Sequence, residues 1–89
     1  MLIHQAYLCE EVRHHALADA QQKTKDTIEE LQTIAHPRVR MSLDKLAEQV
    51  SDASIDQLVA IMQQAMAMTR LLATIPSQVI ADIYAQHWT

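Results

Sequence analysis

The sequence predicts an all-α protein, a bundle of three to four helices with a long N-terminal helix, on three observations. Apolar residues recur at three- and four-residue steps through most of the chain. Pro37 and Pro76 punctuate the chain where these helical patterns stop. The chain contains no glycine and no asparagine, the residues that enter left-handed backbone conformations at low cost. Type I′ hairpin turns depend on those two residues. Helices stopped by proline or by polar caps are what remains.

The expected elements are helices near 2–35, 37–50, 55–75 and 77–87, in a single helical domain over 1–89. In the first, Leu17, Ala20, Thr24, Ile28, Leu31 and Ile34 share one face, and Leu8, Val12 and Ala16 form an earlier stripe slightly out of phase. Pro37 ends it, because the residue before a proline avoids helical geometry. His36, just before that proline, is expected to cap or terminate a helix. Such a helix would be about 50 Å long at ~1.5 Å per residue. A compact chain of this size has a radius of gyration of about 12 Å, so the helix either breaks or overhangs. Thr27-Ile28-Glu29-Glu30 matches a capping box and marks the place for a break. The apolar stripe crosses this region without a phase change, which favours continuity.

The second helix opens with Pro37 at its first position, and Val39, Leu43, Leu46, Ala47 and Val50 form its inner face. Ser54-Ile55-Asp56-Gln57 is a second capping box and starts the third helix. From Gln57 to Ala81 the only charged side chain is Arg70. A helix apolar around most of its circumference is buried on most sides, by its own bundle or by another chain. Its stripe contains Ile55, Leu58, Val59, Met62, Met66 and Leu72, which are therefore the expected partner interface. Met62, Met66 and Met68 would suit a surface that adapts to its partner, or would fill the core. The seven-residue apolar rhythm continues past Pro76, which suggests a fourth helix close to collinear with the third. Trp88 is either an anchor for that helix or a partner contact.

Composition narrows function further. The chain has 89 residues, 49% apolar and 20% charged, with a net charge of −4. An acidic chain without a basic stripe is poorly suited to polyanions, whose binding comes from neutralising phosphates. Arg38, Arg40 and Lys45 form at most a small basic patch. The single cysteine, Cys9, allows no internal disulfide, and the first residues do not have the charge pattern of a secretory leader. No run reaches the roughly 18 apolar residues of a membrane span. A reducing cytoplasmic setting is the expectation.

Phosphate-cradling loops, dinucleotide fingerprints, EF-hand loops and the nucleophile elbow all require glycine, so none is present. Glu11-Val12-Arg13-His14 has the E-x-x-H spacing of carboxylate-bridged di-iron bundles. Those sites need two such motifs and two more glutamates, so a single chain is incomplete. With Cys9, Glu10 and His15 nearby, the plain reading is helix-surface ion pairing at i,i+4. The sequence therefore predicts a non-enzymatic protein without cofactor or metal. It would act through protein–protein association as an adaptor, chaperone-like subunit, inhibitor or assembly component, most simply as a homodimer. The competing readings are a helical nucleic-acid-binding regulator and a metal-binding bundle using Glu11 and His14.

Overall fold

The computed structural model describes residues 2–88, with side chains from Ala16 onward. Four α-helices follow one another: α1 (Leu2–Ile34), α2 (Pro37–Gln49), α3 (Ile55–Arg70) and α4 (Ser77–Trp88). A short 3₁₀ turn, Val50–Asp52, joins α2 to α3. There is no strand among the described residues.

The first helix is continuous. Thr27 does not cap a new segment; its hydroxyl donates to the Lys23 carbonyl within the same helix, at 2.6 Å. Thr24 does the same with the Ala20 carbonyl, at 2.7 Å. Both threonines are fully buried, and the local bond spares each hydroxyl an unmet partner. α1 ends as the proline demands. His36 is extended (φ −59°, ψ 141°), and its ring Nδ1 accepts the Arg38 amide at 3.2 Å, capping α2. The Ser54 capping box is also complete. The Ser54 amide donates to Gln57 Oε1 at 2.8 Å, and the Gln57 amide donates to Ser54 Oγ at 3.3 Å.

The core runs between all four helices. α1 supplies Ile28, Leu31 and Ala35; α2 and its 3₁₀ turn supply Val39, Leu43, Leu46 and Val50. Leu58, Ile61 and Ala65 come from α3, and Ile80 alone is fully buried from α4. Each such side chain contributes about 1.5–3 kcal/mol on leaving water. Leu17, Ala20 and Ile34 pack at the edge of this cluster, so the α1 stripe read from the sequence faces the core. Thr27, skipped by a reading based on apolar residues, is buried with it.

Two features differ from the expectation. α3 ends at Arg70, not near residue 75. Leu71 is extended (φ −67°, ψ 132°) and Leu72 has φ 59°. The Ala73 amide then reaches the Arg70 carbonyl at 3.4 Å. This is the outline of a type II turn, whose third position favours glycine or asparagine. The chain has neither, so a leucine takes a conformation that costs a non-glycine residue about 1–2 kcal/mol. Leu72 thus leaves the α3 stripe and stands 63% exposed beyond the helix end.

The second correction concerns α4, which is not collinear with α3 but folds back as a hairpin. Trp88, at its end, lines the same groove as Ile55, at the start of α3, and Ala20 of α1. The turn at Arg70–Ala73 and the break at Pro76 reverse the chain, so the seven-residue rhythm across Pro76 reflects two separately packed faces. α1 and α3 run up, α2 and α4 run down, and the lower end is tied by Gln21, whose side-chain amide donates to the Ser51 and Ala53 carbonyls at 3.3 and 3.1 Å.

The molecule measures 56 × 23 × 16 Å, with a radius of gyration of 15.4 Å. The long dimension is α1, whose 33 residues span about 50 Å at ~1.5 Å each. The helices packed beside it have 13, 16 and 12 residues. Leu2 therefore stands about 27 Å along the helix axis from Ala20, at ~1.5 Å per residue.

Candidate functional site: an apolar groove between α3 and α4

An apolar groove of about 350 Å³ lies between α3 and α4. One wall is α3. Leu58 and Met62 form its buried base at 3% and 6% exposure, while Ile55 and Val59 stand on its rim at 49% and 53%. Met66 closes the upper end, and Gln63 is the polar side chain on this wall. The opposite wall is Tyr84 and Trp88 of α4, with Ala20 of α1 between them and α3.

The aromatic wall is fixed in place. The Trp88 indole N–H donates to Thr27 Oγ1 at 3.1 Å. Tyr84 stacks on Trp88 with ring centroids 5.7 Å apart and planes 14° apart. The Lys23 ammonium lies 5.8 Å from the centroid of the Trp88 ring, within range of a cation–π attraction, and pairs with Asp19 at 3.2 Å. Beside this cluster, His87 Nε2 lies 3.0 Å from Glu30 Oε1. The distance is that of an ion pair for a protonated ring, but the contact lacks the alignment of a hydrogen bond.

Five of the six residues expected at an interface, Ile55, Leu58, Val59, Met62 and Met66, line this one groove. Leu72 does not. It lies with Leu71, 60% exposed, on the turn at the other end of α3. Tyr84, Trp88 and Ala20 were not grouped with these residues by sequence reasoning. A fourth helix read as collinear would carry Tyr84 and Trp88 away from Ile55. The hairpin brings them together.

A wider cleft of about 740 Å³ lies between α2 and α3. Its polar edge carries Lys45 against Glu48 and Asp52, and Gln57 and Gln64 face them. Opposite charges are interspersed there, and no single-sign field develops. Among the described residues, no three histidine, cysteine or acidic side chains are grouped to hold a metal ion. The side chains of Cys9, Glu10, Glu11, His14 and His15 lie outside those described, so the Glu11/His14 reading is not addressed by this geometry. No described helix is long and apolar enough to cross a membrane.

The base of the groove is apolar, its rim carries the half-exposed Ile55 and Val59, and the rings of Tyr84 and Trp88 stand opposite. No protein-family model, curated protein or solved structure matches the chain.

Proposed function

We propose that this protein is a non-enzymatic association module of the cytoplasm that receives an amphipathic helix of another protein chain in the α3–α4 groove. One observation carries the reading: Ile55 and Val59 are about half exposed directly above Leu58 and Met62, which are almost fully buried. The rim and base together form a continuous apolar surface at helix spacing, opposite Tyr84 and Trp88. Helix-in-groove recognition uses anchors at i, i+3, i+4 and i+7 that seat in such a surface. Methionines at 62 and 66 suit it, because an unbranched, polarizable side chain adjusts to the shape it meets.

The test compares Val59→Glu with Met41→Glu. Met41 is 72% exposed on α2 and away from the groove. Solution mass and co-purifying proteins are measured for both variants and the parent chain. The groove reading expects Val59→Glu to lose the association while Met41→Glu keeps it. An unchanged mass and an unchanged set of co-purifying proteins in Val59→Glu would sink it.

A further inference from the structure

Asp56, Gln63 and Arg70 follow one another at seven-residue steps along α3. At ~100° per residue they fall within about 40° of one another on its outer side, and all three are exposed. Val59 and Met66 lie beside this line on the side of the groove, and Ala60 and Ala67 lie beside it on the other side. The core-facing Leu58, Ile61, Ala65 and Thr69 occupy the opposite face of the helix. The outer face of α3 therefore has one acidic end, one basic end and no charge between them. Among the described residues the ion-pair contacts are Lys23–Asp19 and His87–Glu30, and neither uses Asp56 or Arg70.

This face is complementary to its own reverse. Gln63 is the midpoint, with Asp56 seven residues before it and Arg70 seven after, each about 10 Å away along the axis at ~1.5 Å per residue. An antiparallel copy of α3, related by a two-fold axis at Gln63, puts Asp56 level with the partner's Arg70, and Arg70 level with the partner's Asp56. On the groove side Val59 meets the partner's Met66. On the other side Ala60 meets the partner's Ala67, and side chains this small let two helices approach closely. At the axis the two Gln63 carboxamides face each other, and each has donors and an acceptor for the other. Each charge also complements the dipole at its own end of α3, and the antiparallel partner adds an opposite charge at the same place. A parallel pair would put like charges together at both ends, and such repulsion selects against it.

We infer that a second copy of this chain docks on this face, α3 against α3, antiparallel about a two-fold axis at Gln63. The inference goes beyond the groove reading and does not depend on it, because neither Asp56 nor Arg70 lines the groove. The contact is isologous and closed, so it ends at a dimer and not a fibre. It places apolar surface over Val59, which is 53% exposed in the single chain. Each copy contributes one helix of 16 residues, about 24 Å long at ~1.5 Å per residue. That is the small end of specific interfaces, so the dimer dissociates on dilution.

The test uses the full-length chain. Sedimentation from micromolar to millimolar concentration is expected to show a mass rising towards twice that of the monomer. Asp56→Arg and Arg70→Asp each set like charges together at both ends of the pair. Each is expected to stay monomeric, with helicity by circular dichroism retained. The chain carrying both changes is expected to dimerise again, because opposite charges meet once more although each now opposes the dipole of its own helix. For direction, Cys9→Ser chains with Ala60→Cys are mixed with Cys9→Ser chains with Ala67→Cys. Mild oxidation should link one kind to the other and neither to itself. Proteins that co-purify with the charge-reversed chains test the groove reading separately, since its walls are unaltered in them. The dimer inference is overturned by a parent chain that is monomeric at every concentration, by single reversals that dimerise as the parent does, by a double reversal that stays monomeric, or by Ala60→Cys chains that link only to themselves.

Discussion

The indole N–H of Trp88 donates to the hydroxyl of Thr27 at 3.1 Å, joining residues 61 positions apart. The same hydroxyl donates to the Lys23 carbonyl at 2.6 Å, so both its roles are taken. This bond fixes the end of α4 to the C-terminal third of α1 and sets the aromatic wall of the groove. Thr27→Val replaces the hydroxyl with a methyl and leaves the indole N–H without its acceptor, which costs about 1–3 kcal/mol. Thr24 is the control. Its hydroxyl bonds only the Ala20 carbonyl of its own helix, so Thr24→Val should change stability by less than about 0.5 kcal/mol, since no distant partner is orphaned. Urea unfolding followed by the fluorescence of the single tryptophan checks both. Equal costs at the two positions would show that the indole bond contributes nothing.

Leu72 carries the strain that the missing glycine leaves behind. Its φ of 59° and its 63% exposure mean that its side chain supplies little packing to offset the backbone cost. Leu72→Gly relieves about 1–2 kcal/mol of left-handed strain and gives back about 0.5–1 kcal/mol through the freer unfolded chain. A net gain of about 0.5–1 kcal/mol is expected. Leu71→Gly, one position earlier at φ −67°, relieves no strain and should be destabilising. Thermal melts of the two variants distinguish these positions, and a loss of stability in Leu72→Gly would contradict the turn geometry.

The Ser54 box sets where α3 begins, and with it the height of Ile55 on the groove rim. Ser54→Ala removes the oxygen that accepts the Gln57 amide and should cost about 1 kcal/mol. The reciprocal bond from the Ser54 amide to Gln57 Oε1 remains possible, so the helix start frays but does not relocate. Hydrogen exchange should quicken at the first amides of α3 and stay unchanged in α2.

Ile80 is the one fully buried apolar side chain that α4 contributes. Ile80→Ala leaves a cavity where α4 packs against α1 and α3 and should cost about 2–5 kcal/mol. Because α4 is held by this one fully buried side chain, with Ile83 at the core edge and Trp88 bonded to Thr27, the loss should undock α4 first. The tryptophan signal would then change at lower urea than far-ultraviolet ellipticity. Coincident transitions would show instead that α4 unfolds together with the rest of the bundle.

Much of the fold was legible because local chemistry and global packing agree. Pro37 ends one helix and starts the next, the Ser54 box starts a third, and the stripe from Leu17 to Ile34 faces the core throughout. The α3–α4 relationship was not legible, for a definite reason. A heptad rhythm running through Pro76 looks the same whether the two helices continue or reverse. What decides it is the turn at Leu71–Leu72, where a leucine adopts a glycine conformation that no sequence propensity favours. The groove inherits this. Its α3 wall was readable as an apolar stripe of a chargeless helix, whereas Tyr84 and Trp88 join it only through the reversal.

The exposure of Val59 makes it a clean probe of association. Its side chain is 53% exposed, so Val59→Glu places a carboxylate that can stay in water and should change the stability of the isolated bundle by about 0.5 kcal/mol or less. Leu58, one residue earlier, is 3% exposed. Leu58→Glu would bury an unpaired charge, and the bundle would unfold or be severely weakened. In a complex the Val59 carboxylate would lie under a docked helix and meet that same desolvation cost, which weakens association by orders of magnitude. The expected pattern is therefore a folded Val59→Glu protein with a near-parental urea midpoint and a lost association. If its midpoint falls as far as that of Leu58→Glu, the α3 rim belongs to the core of a single chain and the groove is not a free surface.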